Sequence, residues 1–446
     1  SRTIKNDLLH TKLELRFDWE KQHVLGVASL QFKPYFYPQN TLELDAKEMD
    51  IHKVSLYETL EELPYIYLNN KHTFGIKVHY TAKPNEIKTQ GSDAITQDKG
   101  LYFINPNGAD KSKPRQIWTQ GETEASSCWF PTIDSPNEKT TQEMYITVDT
   151  SFVVLSNGEF IYSNNNGDGT KTDYWKMDLP HAPYLFMMAI GNFKIVKDTW
   201  REKEVNYYVE PKYEKYARAI FGNTPEMLEF FSTKLDYDYA WNKYSQVVVR
   251  DFVSGAMENT TATIFMEALQ CDDRKLLDEN WDGIIAHELF HHWFGDLATC
   301  ESWANLPLNE SFANYSEYLW MEYKHGKDEA EYLDTKETEE YFDEAEEKIE
   351  PIIRFHHANK DDMFDRHSYN KGGRILHMLR NYVGDEAFFK SLSLYLKTKA
   401  FKTAEVHDLR LAFEEITGED LNWFCNQWFL APGHPELKIS HKYADG

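Results

Sequence analysis

Apolar and polar residues alternate with a period of two through the first two hundred positions. TKLELRF sets Leu13, Leu15 and Phe17 on one face, ASLQF does the same with Ala28, Leu30 and Phe32, and GIKVHY with Ile76, Val78 and Tyr80. Successive side chains of a strand point to opposite faces, so these segments predict half-buried, antiparallel sheet. Turn clusters such as SNNNGDG separate them. From about residue 211 the spacing becomes helical and stays so to about residue 430. Thr224-Pro225-Glu226 has the form of a helix start: a hydroxyl N-cap, Pro at the first helical position, then an acid. The pattern predicts a β domain over 1–209 and a mainly helical domain over 210–431. The last stretch, HPELKISHKYADG, alternates again and predicts the first strand of a further β domain, 432–446.

One segment complicates the helical part. DEAEYLDTKETEEYFDEAEEKIE, residues 328–350, is strongly acidic. It reads as a helix with a solvated charged face, turning Tyr332 and Leu333, or Tyr341 and Phe342, inward, and not as a cation site.

Composition narrows the class. The chain has 446 residues, 41% hydrophobic and 15% aromatic, which suits a globular protein of two or three domains. No apolar run approaches the roughly 20 residues that cross a bilayer. The N-terminus SRTIKNDLLH has no hydrophobic leader core and no initiator Met, so upstream residues are expected to be missing. A net charge of −25 disfavours nucleic acid and anionic membrane, and suits substrates with a positive group. Cys128, Cys271, Cys300 and Cys425 are scattered, with no CxxC pair, and leave the compartment undecided. The N-glycosylation patterns at Asn259, Asn309 and Asn314 fall inside the segments that carry the chemistry, and read as chance matches.

The chemistry lies in HELFHHWFGD, residues 287–296. His287 and His291 are four apart, about 40° around a helix and one turn from each other. Two imidazoles so placed reach one ion at about 2.0–2.1 Å. Glu288 lies on the flank of that face, displaced from the ion but placed to touch a water on it. Gly295 is expected to end the helix in a left-handed cap. Eighteen residues lie between His291 and Glu310, which opens a second helical pattern with Phe312, Tyr315 and Leu319 as its buried stripe. A helix pair would bring Glu310 onto the histidines, and two His, one Glu and water make an open catalytic zinc site. Glu317, two turns on, could hydrogen-bond a ligand nitrogen. His292 points elsewhere and reads as structural.

HELFHHWFGDLAT with NLPLNESFANYSEYL resembles the gluzincin aminopeptidases related to aminopeptidase N and leukotriene hydrolase. GAMEN (255–259), TQGETEASSCWFPTIDSPNEK (119–139), MFDRHSYNKGGRILHML (363–379), LSNG and HAPYLFMMAIGNF match in the family's order over essentially the whole chain. The resemblance implies a multidomain α+β protein. Its N-terminal antiparallel β domain would be saddle-shaped, and its catalytic domain thermolysin-like and mainly helical. In many relatives a β-sandwich and a helical superhelix follow; the chain stops where the sandwich would begin, and the helical domain is expected to pack on the catalytic domain.

The resemblance also implies roles. One Zn2+ per chain is held by His287, His291 and Glu310, with Glu288 as general base and Tyr369 as oxyanion donor. Glu122 and Glu258 bind the α-amine of a peptide with a free N-terminus. Gln120 lies beside the first side chain. Gly255, Ala256 and Met257 line the extended peptide, and Asn259 joins Glu317 behind the ligands. The rival readings are a non-catalytic scaffold, a zinc epoxide hydrolase and an endopeptidase on the same fold. Glu122 and Glu258 argue against the endopeptidase, and the complete residue set against the scaffold.

Overall fold

The computed structural model describes residues 5–35, 41–58, 61–62, 73–89, 91–92 and 94–444. Its first part is built on an eight-stranded sheet. From edge to edge the strands are Glu159–Asn165, Thr170–His181, Thr140–Asp149, Asn6–Asp18, His23–Pro34, Phe74–Ala82, Met49–Glu58 and Glu61–Glu62. The alternation anticipates this sheet: Leu13, Leu15, Ala28, Leu30, Phe32, Ile76, Val78 and Tyr80 are all buried on one side. One pairing departs from the antiparallel expectation. Asn6–Asp18 runs parallel to Thr140–Asp149, a contact across more than a hundred residues that local pattern cannot encode. A four-stranded sheet completes this part, ordered Leu101–Ile104, Gln116–Thr119, Met188–Gly191 and Val153–Ser156.

A third sheet belongs with the helices. Its order is Lys194–Trp200, Lys203–Val209, Lys243–Val249, Ala262–Met266 and Ala256–Met257, with the middle three parallel. Nine helices follow among the described residues: α1 (Ala217–Phe221), α2 (Thr224–Lys234), α3 (Asp282–Phe290), α4 (Pro307–His325), α5 (Lys327–Ala345), α6 (Gly372–Val383), α7 (Asp385–Lys399), α8 (Val406–Thr417) and α9 (Asn422–Trp428). Their apolar faces and the third sheet bury one large core; the first two sheets enclose another. A small third cluster, including Tyr184, Met257, Cys300, Trp303 and Met363, joins segments from both parts.

Several local expectations change. Helix α2 is preceded by Asn223 and not capped by Thr224, whose hydroxyl donates instead to Gln246 Oε1 at 2.8 Å. Helix α3 ends at Phe290, before Gly295, and Gly295 has φ +139°, outside the left-handed helical region. On α5, Tyr341 turns inward, but Tyr332 and Phe342 are exposed and Glu337 is buried. Residues 432–444 form no strand within this chain.

Candidate active site

Helix α3 carries His287 and presents His291, the residue that caps its C-terminus, because its other faces are committed to the core through Ile285, Ala286, Leu289 and Phe290. Asp282, in its first turn, accepts hydrogen bonds from Asn223 Nδ2 and Trp320 Nε1, which ties α3 to α2 and α4. Helix α4 packs with Phe312, Tyr315 and Leu319 buried, as its stripe predicts. Glu310 then meets the histidines: its Oε2 lies 3.4 Å from His287 Nε2 and 3.3 Å from His291 Nε2.

Both outer imidazole nitrogens are engaged. His287 Nδ1 donates to Glu317 Oε1 at 2.9 Å, and His291 Nδ1 donates to the Phe294 carbonyl at 3.0 Å. The Nε2 lone pairs therefore face the carboxylate. Three donors about 2.0–2.1 Å from one tetrahedral ion stand about 3.3–3.4 Å apart, so the spacing fits zinc. Burial alone would lower the His291 imidazole, but the Glu258 and Glu310 carboxylates outweigh it and raise it. The cluster thus favours positive charge, as a proton or as a metal ion.

Glu288 is buried, with Oε2 lacking a hydrogen-bond partner, and burial pushes its carboxyl up to about 8. A ligand atom of each of Glu258, Glu288 and His291 lies within 4.8 Å of the others, and so it is for Glu122, Glu258 and Glu310. Glu122 and Glu258 are 5% and 3% exposed, and each keeps a buried oxygen with no partner. Burial and the neighbouring carboxylates raise both. Such a pair is costly unless a cation joins it. Gln120 is buried, and its Oε1 accepts from Glu122 N at 2.9 Å, fixing the segment that carries Glu122.

Ala256–Met257 is an edge strand, paired on one side only with Ala262–Met266. Gly255 O accepts from Met266 N at 3.0 Å, and Met257 anchors the strand in the small core cluster. Asn259 is buried in the following turn, and no hydrogen bond from its side chain reaches the three clustered residues. The Tyr369 ring lies almost parallel to that of His287, with centroids 6.0 Å apart. Burial and four nearby carboxylates push its hydroxyl well above the ordinary range, so it remains a proton donor. A cavity of about 260 Å³ joins Glu122, Gly255, Ala256, Glu258, His287, Glu288, His291, Glu310, Glu317 and Tyr369.

His292 is structural, as expected. Its Nε2 accepts from Thr261 N and its Nδ1 donates to Glu288 O. Asn259, Asn309 and Asn314 are all buried, which no glycan acceptor can be. Sequence reasoning missed Ala94 and Ile95, which line the cavity from the first part of the chain. Their segment, GSDAITQDKG, carries no signal; it arrives because Thr96 N donates to the Val253 carbonyl. It also missed Ile284 and Phe364, which line the cavity; Ile284, three residues before His287 on α3, is the one that helical spacing could have flagged.

Residues 220–428 match the pattern described as the peptidase family M1 domain, and residues 8–185 that of the peptidase M1 N-terminal domain. The chain belongs to peptidase family M1. Among curated relatives, it is 31% identical to aminopeptidase M1 of Arabidopsis thaliana over 80% of this chain and 41% of that protein. It is 26% identical to probable aminopeptidase 1 of Sulfurisphaera tokodaii over 96% of this chain and 54% of the relative. It is 28% identical to glutamyl aminopeptidase of Rattus norvegicus, over 97% and 48%. This M1 chain therefore spans about half the length of the curated relatives it matches, and contains an N-terminal and a catalytic domain. No helix among its described residues is long and apolar enough to cross a membrane.

Proposed function

We propose that this chain carries the centre of a zinc-dependent aminopeptidase, which removes the first residue of peptides bearing a free α-amine. The observation that carries the reading is the pair Glu122 and Glu258, two buried carboxylates from separate segments beside the His287–His291–Glu310 cluster. Their burial is offset by a cationic amine, and an endopeptidase has no use for one.

His287, His291 and Glu310 would hold one Zn2+, which when bound supplies Lewis acidity and brings the pKa of water to about 7. Glu317 orients His287 for that task through its 2.9 Å hydrogen bond. Glu288 takes the proton of the attacking water and hands it to the leaving amine. Tyr369 donates a hydrogen bond to the oxyanion of the tetrahedral intermediate. The open edge at Gly255, Ala256 and Met257 pairs with the peptide backbone as an added strand. Gln120 stands beside the first side chain, and the Asn259 carbonyl closes the turn behind it by accepting from Ala262 N.

We further propose a saddle-shaped β domain over 1–209 and a thermolysin-like domain over 210–431. The matches to 8–185 and 220–428 leave room for the first division. The pairing of Lys203–Val209 with Lys243–Val249 joins the last strands before residue 210 to the third sheet, with the helices.

The test is a panel of aminoacyl-p-nitroanilides, each with a free or acetylated amine, assayed with chelator and with zinc added back. Cleavage of free amines alone, lost with chelator and restored by zinc, is the expected result. Equal cleavage of acetylated substrates would sink the role of Glu122 and Glu258, and Glu258→Ala should abolish the discrimination.

A further inference from the structure

The acidic helix α5 does more than meet solvent. Tyr369 sits in a single wide π turn, His367–Lys371, that opens α6. Such turns lack the support of regular helix and occur often at functional sites. His367, Ser368 and Asn370, which surround Tyr369 in this turn, are held from outside it, His367 and Asn370 from α5.

His367 is fully buried; its Nε2 accepts from Glu350 N, so its Nδ1 carries the proton donated to Glu344 Oε2 at 2.6 Å. Glu344 Oε1 also accepts from Arg366 N at 3.2 Å. Asn370 Nδ2 donates to the Glu337 carbonyl and to Glu340 Oε2, at 3.2 and 3.1 Å. On the other side, Asp365 accepts from Ser368 N and Arg354 Nη2. The Glu344, Asp365 and His367 donors converge within 4.8 Å, as in a metal site. Here, however, Arg354 and Lys348 already pair with Asp365, so the cluster is a neutralised brace.

We propose that Glu344, acting through His367 and the Arg366 backbone, is a positioning residue for hydrolysis: it sets the π turn and thereby the place of the Tyr369 hydroxyl. The proposal rests on the reading of Tyr369 as oxyanion donor. A donor displaced by about 1 Å can lose on the order of 10²-fold in rate.

The test is a double-mutant cycle in the full-length protein, read as kcat and KM separately. Glu344→Ala should lower kcat by about 10- to 100-fold with KM and zinc content nearly constant. Glu344→Gln, which keeps the acceptor for His367, should recover most of the loss. In a Tyr369→Phe background Glu344→Ala should cost less than about twofold, since the displaced group is already gone. Amide exchange should quicken in the peptide 364–374 while the zinc-helix peptide 282–296 keeps its protection. If Glu344→Ala does not fold, Glu340→Gln, which weakens the hold on Asn370, should show the same non-additivity on a smaller loss. Wild-type kcat in Glu344→Ala, or an equal loss in both backgrounds, overturns the proposal alone. Wild-type kcat in Tyr369→Phe overturns the reading of Tyr369, and this inference with it.

Discussion

Glu288 and Tyr369 contribute through single atoms, so they are tested at the scale of the residue. Glu288→Gln keeps the side chain's shape and leaves the His287–His291–Glu310 cluster intact. Bound zinc, measured by atomic absorption, should stay at the wild-type level while kcat falls by on the order of 10²–10⁴. Full turnover would remove Glu288 as base. Tyr369→Phe deletes one hydroxyl from a ring that otherwise lies against His287, and should cost roughly 10²–10³ in kcat. A change confined to KM would make the tyrosine a substrate contact. At this scale the convergence of His287, His291 and Glu310 was legible in sequence for a mechanical reason. A four-residue helical interval puts two imidazoles one turn apart whatever the rest of the fold does. Glu317 was legible on the same periodicity. The pairing of His367 with Glu344 was not, because Glu344 lies on another helix.

At the scale of the element, the strand pattern survived well because one face of each early strand is buried. Ala28, Leu30 and Phe32 are all fully buried. Helix ends fared worse. Thr224 had the chemistry of an N-cap, yet its hydroxyl found Gln246 on a neighbouring strand, a partner no local rule contains. The acidic segment misled for a similar reason. Its charges looked solvated, but Glu337 is buried, with its carboxylate held by Asn314 and Arg374, and Glu340 and Glu344 reach the turn around Tyr369. Helix α6 reaches α4 through Gly372: a Cβ there would run into Ser311 Oγ, which itself donates to the Ser368 carbonyl. Gly372→Ala should destabilise by about 1–3 kcal/mol, seen as a lower Tm, and should reduce kcat by disturbing the π turn. An unchanged Tm with wild-type kcat would show that α6 and α4 have slack at this contact.

At the scale of the whole molecule, the two parts of the chain meet around the site. Thr123 and Glu124 bond to Asp361 and Lys360, and Asn157 Nδ2 donates to the Thr260 carbonyl. Lys139 donates to the carbonyls of Asp296 and Leu297, just past α3, at 2.8 and 3.0 Å. Burial lowers its ammonium from 10.5 to about 7. Between those values the unfolded chain holds a proton that the folded chain has shed, so this residue makes stability rise with pH there. Lys139→Met should lose that rise, measured by denaturant unfolding at a series of pH values from 7 to 10. Parallel curves for variant and wild type would mean that Lys139 stays charged when folded. What the sequence alone determined were features with a short period: alternation in the sheet, the one-turn spacing of His287 and His291, and the order of the motifs. Only the tertiary structure decided which distant groups meet. It brought Glu122 to Glu258 and Glu310, Ala94 and Ile95 to the cavity, and α5 to the tyrosine turn. The physical reason is range. Backbone periodicity acts over a few residues, whereas these contacts follow from packing whole sheets and helices against one another.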